Sequence, residues 1–176
     1  MQTLSISDVN ELDREPFVER FGGIFEHSPW IAAAAWEARP WADLSTLHAA
    51  MCAVIRAAPE QAKLDLIRAH PDLVGRAALA GTLTRESTAE QRAAGLDHGA
   101  LTADEIARFS AANAAYRERF GFPFVICARE NRKAAILAGF ERRLGNTPEQ
   151  EIATAIGEIE RIAWHRLADL IPPDPA

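Results

Sequence analysis

Cysteine is nearly absent from this chain of 176 residues: Cys52 and Cys127 stand alone, without metal-binding or redox spacing. No apolar run approaches the roughly 20 residues a membrane-spanning helix needs. The longest are Trp30–Trp36 and Phe120–Ala128. A basic excess is also missing. Lys and Arg number 19 against 25 Asp and Glu, a net charge of −6, so neither nucleic acid nor an anionic membrane surface is expected as a partner. The five histidines (His27, His48, His70, His98, His165) show neither HxxxH nor HExxH spacing, and no metal is expected. No GxSxG elbow and no glycine-rich phosphate loop occurs. The first residues lack a hydrophobic signal core and the last three are not a peroxisomal tag. A cytoplasmic chain in a reducing compartment is the expectation.

Sheet-forming alternation is the last absence, and helical signals fill its place. They begin near Ser7, cover Arg14 to Phe21 up to the Gly22-Gly23 pair, and follow Pro29 through "WIAAAAWEAR". Another starts at Ser45, and Pro59 opens one that closes near His70. Further helices fit 73–80, 88–94, 103–119, 131–144 and 148–170, with Gly95 and Gly145 as stops. "PFVICA" at 123–128 is the one β-like stretch and has no evident partner. No repeat, linker or low-complexity segment divides the chain. The pattern predicts an all-α, single-domain compact helical bundle over 1–176, with about eight to ten helices. The Trp30, Trp36, Trp41 group reads as core or subunit interface.

Four places could carry chemistry. In "RAHPDLVGR" (68–76), proline forbids helix at the preceding residue, so His70 must end its helix. That is either an ordinary terminating histidine or an imidazole turned toward a pocket. In "STAEQ" (87–91), Ser87 and Glu90 have capping-box spacing, and a helix N-terminus also suits a small anion. In "GFPFVICAR" (121–129), Gly121 and Pro123 interrupt the helix. The stretch is either a buried connection or a backbone whose free N–H and C=O groups read an amide-rich ligand. Finally, Ile152, Ala155, Ile159 and Ile162 mark the buried face of the last helix, and Arg166 continues it while His165 falls on the polar side. A guanidinium there needs an anion, from an internal carboxylate or from a ligand.

Taken together, "AHPDLVGRAALAGTLTRESTAEQRAAGL" (69–96), "NAAYRERFGFPFVICARENRKAAILAGFERRLGN" (113–146) and "EIERIAWHRL" (158–167) resemble the 2-oxo-4-hydroxy-4-carboxy-5-ureidoimidazoline (OHCU) decarboxylase family. "FVERFGGIFEHSPWIAAAAWEARPW" (17–41) extends the likeness over nearly the whole chain. The resemblance implies a lyase for the last step from urate to allantoin, functionally linked to uricase and hydroxyisourate hydrolase. It implies OHCU as substrate, no cofactor and a homodimer. His70 would be the catalytic proton donor beside Pro71, and Glu90 the partner of the substrate hydroxyl. Ser87, Gln91, Arg166 and the backbone of Phe124, Val125, Ile126, Cys127 and Ala128 would bind the substrate. At a helix C-terminus His70 faces the negative dipole end, which favours the protonated ring. Two other classes remain open: a non-catalytic helical ligand-binding protein, and an enzyme acting on a related ureido acid.

Overall fold

The structure, a computed structural model, describes residues 3–75, 78, 80–96 and 98–172. Among them are nine α-helices and no strand: α1 (Ile6–Glu11), α2 (Arg14–Phe21), α3 (Pro29–Ala35), α4 (Leu44–Ala57), α5 (Glu60–Ala69), α6 (Arg85–Ala93), α7 (Ala103–Phe120), α8 (Lys133–Arg143) and α9 (Pro148–Leu170). The all-α expectation holds. Helix starts follow local capping chemistry. Ser5 with Asp8, Asp43 with Thr46 and Thr102 with Glu105 form reciprocal capping boxes at α1, α4 and α7. Thr147 and Gln150 exchange the same pair of bonds ahead of α9.

Two expected elements differ. The helix after Pro29 ends at Ala35 and tightens into a 3₁₀ turn over Trp36–Ala38, since Arg39 precedes Pro40 and cannot stay helical. The helix expected over 73–80 falls partly outside the described residues; within them 73–75 form a turn and Ala78 is helical.

The backbone divides into two compact units, one holding the residues up to Leu66 with those from Ala163 on, the other Ile67–Ile162. In the first, α3 packs on α2 and α4. Phe17 lies between Phe21 and Trp41, with ring centroids 4.8 and 5.2 Å away. Trp41 is thus a core residue, tied to α1 by two bonds with the Asn10 amide at 2.8 and 2.9 Å. Trp30 is 41% exposed.

The second unit is built on aromatic rings. Phe124 stacks on Phe140 at 3.8 Å, and Tyr116 sets its edge against both. Gly121 ends α7 with a φ of +75°, a left-handed conformation glycine adopts without strain. The chain then runs without helix or strand through 123–127, extended at Cys127, into a 3₁₀ turn, Ala128–Glu130.

Candidate active site

Helix α5 is closed by the His70 N–H on the Ile67 carbonyl at 3.2 Å, and Pro71 prevents a further turn. The imidazole is 6% exposed and lines a pocket of about 360 Å³, part of it open to solvent. Pro71 and Leu73 border the same space.

Helix α6 supplies the second wall. Ser87, Glu90 and Gln91 are buried and line the pocket together, as the 3.6-residue period requires of positions i, i+3 and i+4. Here the capping-box expectation is corrected. The N-cap is Thr84, whose hydroxyl accepts the Ser87 N–H at 3.2 Å. Thr84 precedes Ser87 by three residues and caps the helix instead, so Ser87 and Glu90 lie within α6 and turn inward. The Gln91 amide holds the loop after His70: its Oε1 accepts the Val74 N–H at 3.1 Å, and its Nε2 makes a long donation, 3.5 Å, to the Asp72 carbonyl.

The third wall is the 124–128 segment, where Phe124, Val125, Ile126 and Ala128 line the pocket with Ile162. It is a buried connection between α7 and α8. Some backbone groups are used internally: Arg143 donates to the Val125 carbonyl at 2.7 Å, and the Cys127 N–H donates to Glu158 at 2.8 Å. The N–H groups of Val125 and Ile126 have no partner among the described residues.

Sequence reading missed the anchor behind this wall. Glu151, fully buried, takes the Arg143 Nε at 2.6 Å, the Asn146 amide at 2.7 Å and the Tyr116 hydroxyl. Burial first, then the hydrogen bond to Glu151, raises the Tyr116 phenol far above its ordinary range.

Cys127 is not among the residues that line the pocket. Burial first, then the Glu130 charge, pushes its thiol up to about 11. Cys52 is equally buried. Neither thiol is therefore expected to react with Ellman's reagent within minutes at pH 8, whereas both react after unfolding. With the thiol at 9.0 when unconstrained and about 11 when folded, the protonated form is the one folding favours. That contribution is complete below pH 9 and is lost between pH 9 and 11. An alkaline melting series reads it as a falling Tm.

Arg166 finds an internal carboxylate. Its Nη1 lies 2.9 Å from Glu26, with side chains only 3% exposed on either partner, and contacts the carbonyls of Gly23 and Ile24 at 3.4 and 3.3 Å. His165 beside it is half-buried. Of the expected site residues, the pocket gathers His70, Pro71, Ser87, Glu90, Gln91, Phe124, Val125, Ile126 and Ala128.

An imidazole, a carboxyl, a hydroxyl, an amide and open backbone N–H groups, set among Leu73, Phe124 and Ile162, suit acid–base chemistry on a small, amide-rich molecule. Known proteins resemble this chain over nearly its whole length. A 2-oxo-4-hydroxy-4-carboxy-5-ureidoimidazoline decarboxylase of Amia calva is 46% identical over 168 residues, covering 96% of this chain and 95% of that one. Its Mus musculus counterpart is 45% identical over 163 residues, covering 93% and 90%. A crystal structure of (S)-allantoin synthase superposes with a TM-score of 0.76 at 31% identity, covering 96% of this chain and 54% of that one. The family model for OHCU decarboxylase matches residues 10–168, and this chain belongs to that family.

Proposed function

We propose that this chain, as one domain over 1–176, decarboxylates OHCU to (S)-allantoin in the cytoplasm, completing the route that uricase and hydroxyisourate hydrolase begin. The observation that carries the reading is the convergence of His70 and Glu90 on one pocket with Ser87, Gln91 and the 124–126 backbone. Among the described residues no helix is long and apolar enough to cross a membrane.

OHCU carries its own electron sink. The bond to the carboxylate breaks, its electron pair forms a ring carbon–carbon double bond while the imine pair moves onto its nitrogen, which takes a proton from solvent, and CO₂ leaves. Glu90 accepts the proton of the substrate hydroxyl, which becomes the product carbonyl. His70 delivers a proton to the carbon that bears the ureido group. Because the imidazole is held on one side, that carbon becomes a single stereocentre. Ser87, Gln91 and the N–H groups of Val125 and Ile126 orient the ring and the ureido arm. Arg166 enters through the family likeness, as a further contact to the substrate.

Generating OHCU in situ from urate with the two preceding enzymes tests the reading. Circular dichroism at an allantoin band is expected to grow with added protein. A racemic product forming at the uncatalysed rate would overturn it. The same reading takes the active form as a homodimer, which light scattering checks as a mass near twice 19.3 kDa.

A further inference from the structure

The residues that follow His70 and Pro71 are held in a conformation they would not choose. Asp72 to Gly75 form a tight turn closed by the Gly75 N–H on the Asp72 carbonyl at 3.2 Å. A Cβ on Gly75 would lie 2.6 Å from the Asp72 Cβ, so only glycine closes it. Val74, the third residue of the turn, has a φ of +54°. Turns reserve such a position for glycine or asparagine, and a β-branched residue there is strained.

The relaxed alternative is a half-turn flip of the central peptide, Leu73–Val74, which would return Val74 to negative φ. Both ends of that peptide are gripped. Its carbonyl accepts the Asn113 Nδ2 at 2.8 Å, and its N–H donates to the Gln91 Oε1 at 3.1 Å. Asn113 is 7% exposed and comes from α7, and its Oδ1 has no partner among the described residues. From the same helix Arg117 sets its Nε 2.9 and 3.1 Å from the Asp72 carboxylate. Backbone strain that persists beside a pocket marks a conformation the surroundings enforce.

We propose that Asn113 is a positioning residue for catalysis, holding with Gln91 the Leu73–Val74 peptide in its strained orientation and so fixing the chain that leaves His70 and Pro71. It touches no substrate. Its effect runs through the placement of the imidazole, and the inference rests on the reading of His70 as proton donor. Losing Asn113 lets the turn flip, while Ser87 and the 124–126 backbone still bind. Turnover therefore suffers and substrate affinity does not.

The test uses the full chain with Asn113→Leu, which removes the donor at similar volume. Expected is a fall in kcat of about five- to tenfold, the factor one lost hydrogen bond carries, with KM within twofold. Adding Val74→Gly is expected to return most of the lost kcat, since glycine takes positive φ without a clamp. A merely structural role would give no such rescue. Asn113→Ala carries the same expectation and keeps the test open should Asn113→Leu not fold. Independently of activity, NMR is expected to show a short distance between the Val74 amide and α protons, a mark of positive φ, in the native protein and its loss in Asn113→Leu. Unchanged kcat in the variant, or a double variant no better than the single one, would overturn the proposal. Native protein that shows the NMR signature but no OHCU turnover would overturn the decarboxylase reading and leave the clamp standing.

Discussion

His70→Asn is expected to lower OHCU turnover by at least about a hundredfold, the usual worth of a positioned general acid. Asparagine is polar and close in size to the ring's inner half, so it can occupy the same place before Pro71. It cannot deliver a proton near neutral pH. The backbone bond to Ile67 that ends α5 does not involve the side chain, so the helix end survives. Melting temperature is therefore expected to move by only a few degrees, about 2–4 °C for each kcal/mol in a chain of this size. Product chirality gives a second readout. Whatever slow turnover remains should yield allantoin with little optical activity, since no group then protonates one face of the ring. A variant that kept more than about a tenth of the native rate would remove His70 from the proton-donor role.

The helix end at His70 was legible because proline acts through local sterics, which need no tertiary information. The same holds for the boxes at Thr102 and Thr147, where one hydroxyl and one carboxyl or amide compete with nothing nearby. Reading failed at Ser87. Thr84 and Ser87 both can cap, and burial of the 87–90–91 face against the pocket decides in favour of Thr84. The turn at 73–75 was illegible for a different reason. Valine is among the worst residues for positive φ, so only the clamps from α6 and α7 reveal it. Asn113 did leave a signal. It lies four residues after Phe109 and three before Tyr116, an amide on a fully buried stripe. That is the kind of misplacement that singled out Arg166, and Arg143 and Glu151 share it.

Arg166 and Glu26 should show the largest losses of stability. Removing one partner of a buried pair leaves the other's charge without compensation, a cost of about 3–5 kcal/mol. Arg166→Ala and Glu26→Ala are both expected to lose stability on that scale in urea unfolding. Glu26→Gln should lose less, because a neutral amide can still accept from the guanidinium. Arg166→Lys should recover part of the loss, since an ammonium keeps the charge and one nitrogen, Nη1, makes the contacts to the carboxylate and to the carbonyls of Gly23 and Ile24. Kinetics then separate two roles for the arginine. If Arg166 also contacts substrate, as the family likeness has it, kcat/KM of folded Arg166→Ala falls at least about tenfold below that of folded Glu26→Gln. This is the expected result, with His165→Ala near the native value throughout. Equal kcat/KM in Arg166→Ala and Glu26→Gln would confine the arginine to the ion pair. A fully stable Arg166→Ala protein would refute the pair itself, because a carboxylate 3% exposed cannot lose its cation without cost.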